Sequence, residues 1–155
     1  MKKRLVIIIA AVVVAIAAII SAIILLMPAH KITLGEDSYG SSEFISISGE
    51  DYEAKIKNGD TFLLFVDAAG CITADHIRSF ATEISEAKNL HFYHIMWPEA
   101  RSTSLHDSVK YYPSVVIVDG GKILDFLKAD SDDHVEYYQN VGALRSWLDK
   151  YVEWK

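Results

Sequence analysis

Phe62-Leu63-Leu64-Phe65-Val66-Asp67-Ala68-Ala69-Gly70-Cys71-Ile72-Thr73-Ala74 is the stretch on which the reading of this chain turns. Its first five residues are apolar without alternation, the pattern of a strand covered on both faces. Asp67 to Gly70 then breaks the run. Beyond it Ile77, Phe80, Ala81 and Ile84 fall at i, i+3, i+4 and i+7, one stripe of an amphipathic helix that should reach about Lys88. Cys71, the only cysteine, therefore stands at a strand-to-helix corner.

Working outward, Phe44, Ile45 and Ile47 predict a first strand, and Glu50 to Lys57 a short helix stopped by Asn58-Gly59. Downstream, the aromatic and β-branched run His91 to Trp97 predicts a third strand ended by Pro98. Leu105 and Val109 belong to a looser segment with one helical turn. Ser114 to Val118 predicts a fourth strand, and Asp119-Gly120-Gly121 a tight hairpin returning as a fifth, antiparallel strand from Lys122 to about Leu127. Val141, Leu144, Leu148 and Tyr151 mark a final amphipathic helix flanked by Trp147 and Val152. The order βαβαβ(α)ββα calls for an α/β fold with a central mixed sheet covered on both faces.

The ends of the chain differ in kind. Residues 1–4 carry Lys2, Lys3 and Arg4, and residues 5–27 form an uncharged run whose only polar side chain is Ser21. At about 1.5 Å per residue this run is long enough for a hydrocarbon core of about 30 Å. It exceeds a signal-peptide apolar region, and Met27-Pro28-Ala29 fits a cleavage site poorly, so it reads as a retained transmembrane helix and signal anchor. Three basic residues precede the span, which predicts a cytoplasmic N-terminus, a single pass and an extracytoplasmic C-terminal part. Ala11/Ala15 and Ala18/Ala22 have a spacing that lets two such helices pair. Residues 28–42, rich in Gly, Ser and acidic residues, read as a linker. Residues 43–155 suffice for one domain with a single core.

Setting aside Lys2, Lys3 and Arg4 reduces the 15 basic residues to 12 against 21 acidic ones, a net charge of −9 for the exported part. Such a surface argues against nucleic acid as a partner, and no Lys/Arg cluster follows the span to dock on anionic lipid. A single cysteine excludes an intrachain disulfide framework.

Tyr112-Pro113-Ser114 opens the fourth strand, with Pro113 lying 42 positions beyond Cys71. A thiol at a strand-to-helix corner, a proline before the next strand and a Gly-Gly hairpin after it resemble the thioredoxin family, over roughly Glu43 to Val152. The resemblance implies a thioredoxin-like fold and a cis Tyr112-Pro113 bond lying against Cys71. It also implies a peptide-binding surface formed by Gly70, Ile72, Tyr112 and Pro113, where an extended client adds as a strand. The family's Cys-x-x-Cys motif is matched by Cys71-Ile72-Thr73-Ala74, so the resolving position is Ala74 and a two-thiol cycle within one chain is impossible. Gly70 replaces the usual aromatic residue, Asp75 the basic residue after the motif, and the family's buried acid falls near Phe65.

Two functional classes follow. In one, Cys71 is a nucleophilic thiol that exchanges or captures disulfides with client proteins, favoured by the helix N-terminus and opposed by Asp67 and Asp75. In the other, the domain is a redox-silent binding or accessory module for exported or envelope proteins, similar to superfamily members found with bacterial secretion and envelope machinery. The second is the leading reading, and whether the protein is an enzyme stays open. An odd cysteine also allows a homodimer linked through Cys71.

No cofactor and no metal are expected. His91 and His94, three apart in a strand, point to opposite faces, and Cys71 with His76 lacks further ligands for a zinc spacing. Asp130-Ser131-Asp132-Asp133-His134 lacks the glycine and glutamate of a calcium loop and reads as solvated loop. The serines form no G-x-S-x-G elbow and no phosphate-binding loop is present, which removes hydrolase and nucleotide readings.

Overall fold

The computed structural model describes residues Lys31–Lys155; the predicted cytoplasmic N-terminus, the membrane span and its alanine pairs lie outside the described residues. Among the described residues no helix is long and apolar enough to cross a membrane.

The central sheet has five strands. These are β2 (Phe44–Ser46), β3 (Phe62–Asp67), β4 (Phe92–Met96), β5 (Ser114–Asp119) and β6 (Lys122–Phe126), in the order β2-β4-β3-β5-β6. The first three are mutually parallel, β5 runs antiparallel to β3, and β6 runs antiparallel to β5. All six residues of β3 are buried, as its uninterrupted apolar run requires. Leu63 and Phe65 join a core with Ile77, Ala81 and Ile84 of helix α2 (Ile72–Lys88) and Leu144, Trp147 and Leu148 of helix α5 (Val141–Leu148). Phe62, Leu64 and Val66 face the opposite core, with Tyr52 of helix α1 (Gly49–Asn58), Val116, Val118 and Leu105.

Local chemistry sets the boundaries. α1 starts at a reciprocal capping box between Ser48 and Asp51 and ends at Gly59 in the left-handed region. Gly121 needs its missing side chain, because a Cβ there would stand 2.2 Å from the Ile56 carbonyl oxygen.

The chain departs from the sequence reading in four places. The third strand stops at Met96, and Trp97–Ala100 forms a helical turn, α3, because Pro98 suits the first turn of a helix. The predicted turn is present as α4 (Leu105–Ser108). The acidic loop leads into a 3-10 helix, Asp132–Tyr138, anchored by buried Tyr138. The segment expected as a tether is part of the fold from residue 31 onward: β1 (Ile32–Thr33) pairs in parallel with β7 (Val152–Glu153), and Ile32 and Leu34 are 2% and 1% exposed. The final helix accordingly ends at Leu148, freeing Val152 for that pairing.

Candidate functional site

β3 delivers the chain to the corner, and Gly70, at φ 76°, turns it into α2. Cys71 occupies the N-cap position in extended conformation. Its carbonyl accepts from the Ala74 and Asp75 N–H groups at 2.9 and 3.2 Å, while its side chain makes no capping hydrogen bond. Cys71 is partly exposed. Ala74 is only 1% exposed, so the resolving position is a methyl packed into the domain.

The Tyr112-Pro113 bond is cis. It brings both residues to the cleft that Cys71 lines, a space of about 440 Å3 also bordered by Thr73, His76 and Val135. The Pro113 carbonyl is occupied by the hydroxyl of buried Tyr138, which donates to it over 2.9 Å. The Tyr112 backbone makes no backbone hydrogen bond among the described residues. Its side chain turns away into the domain, where the hydroxyl donates to the Val109 carbonyl at 3.0 Å and lies 2.9 Å from His106 Nδ1. Burial pushes that phenol's pKa up. Tyr112 thus lines the cleft with its hydroxyl already engaged and its backbone N–H and C=O without backbone hydrogen bonds among the described residues. Around the opening, Ile72 is 74%, Tyr111 56% and Val135 44% exposed.

The predicted site residues thus divide. Cys71, Tyr112 and Pro113 line one cleft; Gly70 and Ile72 sit exposed beside it, outside the cleft lining. Asp67, expected to oppose a Cys71 thiolate, is instead buried and paired with Arg78 and His94, because its position in β3 directs it under α2. His76 lines the same cleft. Among the described residues no three His, Cys, Asp or Glu side chains converge to hold a metal. Sequence reasoning missed Tyr138, whose acidic surroundings masked a buried aromatic anchor.

No protein-family model matches the sequence, and no curated protein matches it significantly. Solved structures do. A mutant thioredoxin from Halobacterium salinarum superposes with a TM-score of 0.57 at 15% identity, covering 75% of this chain and 96% of that one. Oxidised thioredoxin from Plasmodium falciparum gives 0.54 at 17% identity, over 71% and 99% of the two chains. Mitochondrial thioredoxin 3 from Saccharomyces cerevisiae gives 0.51 at 14%, over 68% and 93%. At such identities the likeness speaks for architecture alone, and with the mixed sheet and its covering helices it establishes that this chain has a thioredoxin-like fold.

Proposed function

We propose that the protein is a single-pass, membrane-anchored thioredoxin-like module whose extracytoplasmic domain binds extended segments of exported or envelope proteins without turning over a disulfide. The observation that carries this reading is the open backbone of Tyr112, which lines a cleft with Cys71 beneath exposed Ile72 and Val135. An extended client can add its own N–H and C=O groups to such a backbone while burying side chains on the apolar rim. Buried Ala74 supplies no second thiol, so release must be non-covalent.

A second reading has its own support. The Cys71 side chain is free of capping bonds and faces the same cleft, which suits a monothiol that captures a client as a mixed disulfide. A photo-cross-linking residue at position 72, in cells acid-quenched and thiol-blocked, separates the two. Cross-links retained in Cys71→Ser support the binding module. Adducts that need Cys71 and collapse on reduction support the monothiol. Absence of both removes the cleft from consideration.

The anchor rests on the apolar run at residues 5–27 and the basic residues before it. Resistance of the full chain to alkaline carbonate extraction, with its C-terminal part open to protease from the extracytoplasmic side, tests it. Release into the soluble fraction would overturn it.

A further inference from the structure

A second polar cluster shares no lining residue with the Cys71 cleft. Parallel pairing sets Ser46 of β2 and Phe65 of β3 opposite His94 of β4, and Asp67 lies two residues beyond Phe65 on the same face. Three strands thereby bring a hydroxyl, an imidazole and a carboxylate into line. Ser46 Oγ lies 3.2 Å from His94 Nδ1, and His94 Nε2 lies 3.0 Å from Asp67 Oδ2. Arg78 of α2 pairs with that same carboxylate oxygen.

Burial is graded along the line. The Asp67 side chain is 2% exposed and that of His94 18%, whereas Ser46 is open to solvent. Arg78 and His94 both meet Asp67 at Oδ2, which holds the carboxylate, while Oδ1 is buried without a partner. A carboxylate paired with a guanidinium only accepts hydrogen bonds, so His94 Nε2 donates to it, and in the neutral imidazole the Nδ1 lone pair faces the Ser46 hydroxyl. Stacking on Phe65, with ring centroids 5.8 Å apart, holds the imidazole plane. A cleft of about 300 Å3 is lined by Phe44, Asp67, Arg78, His94 and Met96. Arg78 pairs with Asp67 and keeps 44% of its side chain exposed, and so fixes the carboxylate end of the line.

We propose that Ser46 is a base-assisted nucleophile that accepts acyl groups from small activated esters, with His94 as its general base and Asp67 as a positioning residue. Ser46 Oγ forms a bond to the ester carbonyl carbon while its proton passes to His94 Nδ1. The carbon–oxygen bond to the alcohol then breaks, and the alkoxide leaves with that proton. Water attacks the acyl-serine, gives a proton to His94, and the proton returns to Ser46 Oγ as the carboxylic acid departs. Sequence inspection for a nucleophile elbow misses such a site, because strand register assembles it.

The test uses the full-length chain in detergent with a fluorophosphonate probe, whose P–F bond breaks as the Oγ–P bond forms and fluoride leaves. Mass spectrometry should place a single adduct on Ser46, at a rate that rises with pH. Ser46→Ala should abolish that adduct, and His94→Gln should slow it at least ten-fold and remove the climb. Labelling no faster than in the urea-unfolded chain, or unchanged in His94→Gln, would overturn the proposal. If His94→Gln does not fold, the wild type decides: labelling of the folded chain no faster than of the urea-unfolded chain leaves Ser46 an ordinary surface hydroxyl.

Discussion

The hydroxyl of Tyr138 donates a 2.9 Å hydrogen bond to the carbonyl of Pro113, joining the 3-10 helix Asp132–Tyr138 to the loop that faces Cys71. Both groups are buried, so neither has water as an alternative partner. Tyr138→Phe keeps the ring and leaves that carbonyl unpaired. The expected cost is about 1–3 kcal/mol in urea unfolding, the desolvation penalty of one orphaned buried acceptor. Binding at the cleft should weaken as well, because the same bond fixes the Tyr112-Pro113 backbone. A variant as stable as the parent would show that water replaces the phenol.

Tyr138 belongs to a set that predicts alkaline behaviour. Burial pushes the phenols of Tyr52 and Tyr151 up to about 12 and raises that of Tyr138 further; Asp125, which accepts the Tyr151 hydrogen bond at 2.5 Å, adds to the rise there. Below about pH 10, the ordinary tyrosine value, both folded and unfolded chains hold these protons. Above it the unfolded chain releases them while the folded one does not, so stability should fall as pH rises from about 10 through 12. Urea midpoints at pH 8, 10 and 11 should decline in that order, and the slow fraction of tyrosinate absorbance should appear only with unfolding. A flat midpoint across this range would contradict the assigned burial.

The N-terminal edge of the domain supplies a third prediction. Ile32 is 2% exposed, its N–H donates to the Tyr151 carbonyl at 2.7 Å, and it stands opposite Val152 in β7. Ile32→Ala should cost about 2–5 kcal/mol, the range for truncating a buried aliphatic side chain. A free tether would give no change in the urea midpoint.

That segment also shows where legibility ended. The unbroken apolar runs at Phe62 and Val115, the stripe from Ile77 to Ile84 and the glycines of the hairpin each announce one element, and together they gave the sheet and its covering helices. Two-residue strands carry no periodicity, so β1 and β7 had nothing to announce them. The cleft was legible only through the thioredoxin resemblance, carried by Cys71 at the corner and Pro113 before the next strand, which implied the cis bond that is present. The alignment of Ser46, His94 and Asp67 was not, since it arises from the register of three strands far apart in sequence. His94 seen alone is a histidine in a strand; only pairing shows its neighbours.

A final prediction concerns position 74. Ala74 sits one helical turn after Cys71, with its N–H on the Cys71 carbonyl at 2.9 Å, and its side chain is packed into the domain. If this corner keeps the geometry of a two-thiol site and lacks only the second sulfur, Ala74→Cys should close an intrachain bridge with Cys71 on mild oxidation. The variant should then reduce insulin in the presence of dithiothreitol faster than the parent, which has one thiol and no resolving step. Thiol counts before and after oxidation measure the first effect, and insulin turbidity the second. The added sulfur at a buried position is expected to cost about 1–3 kcal/mol through overpacking. A folded variant that retains two free thiols after oxidation would mean that this helix start no longer presents residues 71 and 74 to each other. Loss of the resolving thiol would then be only part of the departure from a two-thiol site.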